Sequence, residues 1–146
     1  MNYQTAVVQL PLVRESAAKR RVVTPRDIHD VVGDLGELAQ ESFQVITLNT
    51  KNDLVNRHLV TLGLADASLV HAREVFRPAI SDGAAAVVLV HNHPSGDPTP
   101  SAADIRITKE LVKAGEILDI RVLDHVIIGS GETPFFSIRE AGLVSF

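Results

Sequence analysis

The chain has 146 residues, 14 Lys plus Arg against 18 Asp plus Glu, a net charge of −4 and no Cys, which fits one domain and excludes disulfides, a thiol nucleophile and Cys-held zinc. The acidic balance, a single Tyr and five Phe leave little to neutralise phosphates or stack on bases, so nucleic-acid binding by this chain alone is not expected. No apolar run approaches the ~20 residues of a membrane span and no signal segment opens the chain, so no membrane association and a cytoplasmic location are expected.

Residues 1–22 read as an extended arm, broken by Pro11 and carrying the basic run Lys19-Arg20-Arg21 as a solvated turn. Residues 23–146 read as the folded domain. Thr24-Pro25 opens a helix, an N-cap followed by a residue favoured at the first helical position, and Gly33 predicts that it is short. Gln44–Asn49 and Leu54–Leu62 are predicted strands joined by the turn residues Thr50 to Asp53. Leu69–His71 is expected to be a short strand and Arg73–Ser81 a helix. The unbroken run Ala84–Val90 predicts a strand covered on both faces. Pro94–Pro100 must be loop, and Ser101 caps a long helix to about Glu116 whose inner side carries Ile105, Thr108, Leu111 and Val112. Ile120–Ile128 and Phe135–Arg139 are further predicted strands, separated by the turn Gly129-Ser130-Gly131. Interleaved hairpins and helices imply an α/β or α+β sandwich around one sheet.

The chemistry concentrates in His91-Asn92-His93 followed by Ser101 and Asp104. Residues two apart on an extended backbone project to the same side, so both imidazoles can meet at the strand end, where Asp104 in the first turn of the next helix could add a carboxylate. Two His, one carboxylate and an open position are a catalytic zinc arrangement. Alternatively, a bare His-x-His is two solvated loop residues, and Ser101-x-x-Asp104 is a capping box; both readings can hold for Ser101. His125 is expected to hydrogen-bond a ligand, Arg73 to form a structural ion pair, and His29, His58 and His71 to lie on the surface.

The pattern His-x-His-x7-Ser-x2-Asp resembles the JAMM motif of JAB/MPN-type metalloproteases. Arg73-Glu74-Val75-Phe76, Pro78-Ala79, His91 through Pro98, Pro100-Ser101, Asp104, Thr108 and Leu123-Asp124-His125 resemble its RadC-like branch over residues 23–146. The resemblance implies a single JAB1/MPN-like (cytidine-deaminase-like) α/β domain, a central mixed β-sheet flanked by helices. It further implies Zn2+ held by His91, His93 and Asp104, with Ser101 stabilising the oxyanion. The family's catalytic glutamate lies upstream near a strand start. Glu41 fits that place as general base toward the zinc-held water that attacks the carbonyl, and Glu74 is the rival. The implied activity is that of a peptidase or isopeptidase acting on a peptide or protein. The alternatives are a DNA-repair-associated scaffold or binding module with a structural metal, and phosphodiester cleavage, which the acidic surface disfavours. An oligomer is compatible with all of these. Residues 1–22 alone precede the shared region, so the N-terminal helical module common in RadC-like proteins is not expected.

Overall fold

A computed structural model of the chain describes residues 20–63 and 69–146. Residues 1–19, most of the expected arm, lie outside the described residues. The elements, in chain order, are α1 (Pro25–Val32), a 3-10 turn (Gly33–Glu37), β1 (Ser42–Leu48), β2 (Leu54–Leu62), α2 (Ala72–Ser81), β3 (Ala86–Asn92), α3 (Ala102–Leu118), β4 (Arg121–Ile128) and β5 (Phe135–Ser137). The strands form one mixed sheet in the order β2-β1-β3-β4-β5, antiparallel throughout except for β3 and β4, which run parallel across α3. No helix among the described residues is long and apolar enough to cross a membrane.

The central strands are buried on both faces, as an uninterrupted apolar run requires. Every residue of β1 and of β3 is buried. Alternation divides them between two cores. Phe43, Val45, Val87 and Leu89 pack with Phe76 of α2 and with Ile107 and Leu111 of α3. Ile46, Leu48, Val88 and Val90 pack on the opposite face with Ile28 and Val32 of α1 and with Leu35. Fully burying one such aliphatic side chain contributes roughly 1.5–3 kcal/mol, so the two layers hold β3 in place from both sides.

Local chemistry sets the connections. Thr24 caps α1 by accepting from the Asp27 amide at 3.3 Å, and the Asp27 carboxylate accepts from the Thr24 and Val23 amides at 2.8 and 2.9 Å. The Asn49 side chain accepts from the Lys51 and Asp53 amides, an Asx turn that closes the β1–β2 hairpin with Asn52 left-handed at φ 60°. Arg20 and Val22 run beside that turn, bonded to Leu54 and Asn52.

Four local expectations need correction. Leu69–His71 contains no β-strand; His71 is the N-cap of α2 in extended conformation, and three residues are too few to show which neighbour they serve. β5 stops at Ser137 rather than Arg139 because the Asp124 carboxylate takes over: the Ser137 hydroxyl donates to it at 2.5 Å and the Arg139 amide at 3.1 Å. Arg73 is exposed and makes no ion pair among the described residues. His58 is half-buried, with Nε2 2.6 Å from Asp82 Oδ2, a partner 24 positions away that local spacing does not reveal.

Candidate metal centre

β3 ends where the sheet delivers three elements to one place: the C-terminal ends of β3 and β4 and the N-terminal end of β1, whose Phe43 pairs with His91. The carboxyl ends of parallel strands are where open α/β sheets bind ligands. His91 and His93 both face the α2/α3 side, with their Nε2 atoms 3.0 Å apart. The loop after them is fixed against the turn that follows β4. The Ser130 amide donates to the Gly96 carbonyl at 2.9 Å. A Cβ on Gly96, which has φ +89°, would overlap the Ser130 hydroxyl, and one on Gly129 would overlap the Gly96 carbonyl and the Pro98 ring. That close approach puts the Asp97 carbonyl 2.9 Å from His93 Nδ1.

The loop then enters α3. Ser101 Oγ accepts from the Asp104 amide at 3.1 Å, and Asp104 Oδ2 accepts from the Ser101 amide at 2.8 Å, which completes a capping box. Unlike an ordinary cap, Asp104 is only 2% exposed. Its Oδ1 lies 3.2 Å from His91 Nε2 and its Oδ2 3.1 Å from His93 Nε2. Atoms of Glu41, His91, His93 and Asp104 all lie within 4.8 Å of one another.

Proton positions follow from the partners. The Thr108 hydroxyl has one proton, which it donates to the Asp104 carbonyl at 2.6 Å. It must therefore accept from His125 Nδ1–H at 2.5 Å. His125 Nε2 is then an acceptor, and His91 Nδ1–H donates to it at 2.7 Å. His93 Nδ1–H donates to the Asp97 carbonyl. Both Nε2 lone pairs consequently face each other and a carboxylate. Two imidazole nitrogens 3.0 Å apart, with a carboxylate whose Oδ1 is 3.2 Å from one and whose Oδ2 is 3.1 Å from the other, fit a cation: tetrahedral ligands about 2.0–2.1 Å from an ion of zinc's size stand about 3.3–3.4 Å apart. Imidazole nitrogen together with carboxylate oxygen suits a divalent transition-metal ion.

The same pocket also attracts a proton. Burial opposes charge on Asp104, but when the facing imidazoles of His91 and His93 are protonated their hydrogen bonds outweigh it and hold the carboxyl well below the usual carboxylate range. Burial would lower His93, yet its bonds to Asp104 and the Asp97 carbonyl raise it above the ordinary imidazole value. His125 is held neutral by complete burial, and positive charge on the imidazoles beside it would oppose its protonation further. It is also ringed by Phe43, edge-on at 5.5 Å between centroids.

Glu41, immediately before β1, brings Oε1 to 3.7 Å from His91 Nε2 while remaining 20% exposed. Glu74 sits in the first turn of α2 and is not in the cluster. Ser101 Oγ accepts in the cap, so its own O–H proton is not used there. His125 hydrogen-bonds His91 as expected. His71 is exposed and His29 partly exposed, the latter 5.4 Å from the Phe135 ring. Sequence reasoning missed Thr108 as the group that orients His125; its four-residue spacing from Asp104 on a helix was the available signal. A cleft of about 650 Å³ opens at the opposite end of the sheet, lined by residues such as Asn49, Ala85 and Arg121. It contains no imidazole, and the converging donors, not that cleft, mark the site.

Residues 22–143 match a protein family described as RadC-like JAB domain. A UPF0758 protein of Caldanaerobacter subterraneus is 46% identical over 126 residues, covering 86% of this chain and 53% of its own. Another, from Desulforamulus reducens, is 48% identical over 130 residues, covering 87% and 56%. A third, from Geobacillus thermodenitrificans, is 52% identical over 114 residues, covering 78% and 50%. The chain thus spans about half the length of these relatives.

Proposed function

The chain belongs to the RadC-like JAB domain family, and on that premise we propose that it is a zinc-dependent hydrolase of amide bonds, a peptidase or isopeptidase acting on a polypeptide substrate. The observation that carries this reading is the triangle of buried His91, half-buried His93 and buried Asp104 with the Glu41 carboxylate at its rim. His91, His93 and Asp104 would hold the ion, which when bound lowers the pKa of a water and polarises a carbonyl. Glu41 accepts the proton of the attacking water and returns it to the departing amine. Its partial exposure suits it to a group that must meet both solvent and substrate. Ser101 directs its O–H toward the oxygen on which negative charge develops. The fully buried His125 and Thr108 exclude water behind the ligands and hold the His91 ring.

Metal analysis of the purified chain tests the site first: one equivalent of zinc is expected, and it is lost in His91→Ala. Cleavage of an amide-bond peptide library tests the reaction. Glu41→Gln should keep its zinc and lose about 10²–10⁴-fold in rate. Full zinc occupancy with no cleavage of any amide would support a binding module instead.

A further inference from the structure

The backbone ladder between β1 and β3 ends at the pair Phe43 and His91. One step further, where Ser42 would face Asn92, a side chain replaces it. Asn92 Oδ1 accepts from the Ser42 amide at 2.7 Å, and Asn92 Nδ2 donates to the Gln40 carbonyl at 2.9 Å. These two backbone groups flank Glu41 on either side, and the Glu41 carbonyl itself accepts from the Gly63 amide at 2.8 Å. Residues 38–41 have no regular secondary structure, so these bonds fix the backbone from which the Glu41 side chain leaves. Asn92 is 1% exposed and, by strand alternation, lies on the α1 face opposite His91.

We infer that Asn92 is the positioning residue for Glu41: its amide clamps the chain on both sides of that residue and so fixes the carboxylate beside His91. The inference rests on the proposed role of Glu41 as proton acceptor. A primary amide of this length places an acceptor and a donor on two separate atoms of one planar group, as the Ser42 amide and the Gln40 carbonyl require. Aspartate keeps the acceptor for Ser42 but sets an oxygen against the Gln40 carbonyl. Consecutive residues of one strand end thus serve both halves of the site: His91 and His93 the ion, and Asn92 the base.

The test uses the full chain loaded with zinc or with cobalt(II), whose visible spectrum follows ionisation of the water at the metal. Asn92→Ala should leave zinc affinity within about threefold and lower kcat about 10–100-fold, the range found for groups that orient a functional residue. The effect should vanish in a Glu41→Gln background, since residues acting as a unit are not additive. The spectral pH midpoint should move in the same direction in Asn92→Ala as in Glu41→Gln. Asn92→Asp, nearly equal in volume, should give a smaller change of the same sign, and it serves if the alanine variant fails to fold. Metal uptake with an unmoved midpoint, or a rate loss that is additive with Glu41→Gln, overturns the positioning role alone. A wild-type chain that takes up no ion overturns the functional reading and this inference with it. A chain that takes up the ion but cleaves no amide overturns the functional reading only, because the cobalt midpoints still decide the role of Asn92.

Discussion

Two helices of this molecule begin with the same local device. α1 opens with Thr24-x-x-Asp27 and α3 with Ser101-x-x-Asp104, and in each the hydroxyl accepts from the third amide while the carboxylate accepts from the cap amide. The cap distances nearly coincide: 2.8 Å from Thr24 and 2.8 Å from Ser101 to their carboxylates. What differs is the neighbourhood. Asp27 uses its second contact on the Val23 amide at the surface, whereas Asp104 is buried against the imidazoles of His91 and His93. A capping box is therefore only an orientation device for a carboxylate. Whether it becomes part of a reactive site depends on what a distant strand brings against it.

The sharpest way to break the comparison is to neutralise each carboxylate while keeping an oxygen for the cap. Asp104→Asn should cost on the order of 100-fold or more in zinc affinity, measured by competition with a chromophoric chelator. Asp27→Asn should leave that affinity unchanged.

A smaller effect is expected behind the ligands. Thr108→Val removes the hydroxyl that selects the His125 tautomer, and His125→Gln removes the acceptor for His91 Nδ1–H. Each should weaken zinc binding about 10–100-fold, read by the same competition. An undiminished affinity in both variants would show that the chain from Thr108 through His125 to His91 orients nothing.

Smaller still is the loss of the caps. Thr24→Ala and Ser101→Ala should each destabilise the fold by about 1 kcal/mol in urea denaturation, but only Ser101→Ala should also slow amide cleavage. Equal activity in both would reduce Ser101 to a cap.

The smallest expected effect is one of pH. The backbone bonds from Val23 and Thr24 hold Asp27 below its ordinary value, so its stabilising contribution is full above the usual carboxylate pKa and is lost as pH falls through the depressed one. At so exposed a position it amounts to a few tenths of a kcal/mol after solvent screening. In Asp27→Asn, denaturation midpoints should decline less steeply below about pH 4.

What was legible in the sequence followed from local rules. The run Ala84–Val90 could only be a doubly covered strand, Thr24-Pro25 could only open a helix, and Leu54–Leu62 matched the observed strand end to end. The four clustered residues were legible too, three by spacing and family resemblance and Glu41 by resemblance alone. The parts that escaped depend on distant partners. His58 looked like a surface residue because Asp82 reaches it through the fold, and Asn92 drew no reading of its own because its partners lie 50 and 52 residues away. α3 runs on to Leu118 because Asp119, not an earlier residue, adopts the left-handed conformation that ends it, φ 54°.

The order of the sheet has one more consequence. His91, His93, Asp104, Thr108 and His125 all come from one continuous strand–helix–strand unit, β3-α3-β4, while Glu41 comes from the β1–β2 hairpin that pairs onto it. The three innermost members of the cluster and Glu41 therefore come from different parts of the fold. If the hairpin detaches while the later unit stays folded, the two imidazoles and Asp104 remain together but Glu41 is withdrawn from them. The pairing of β1 with β3 is thus the seam at which the cluster can be opened without scattering its three innermost members.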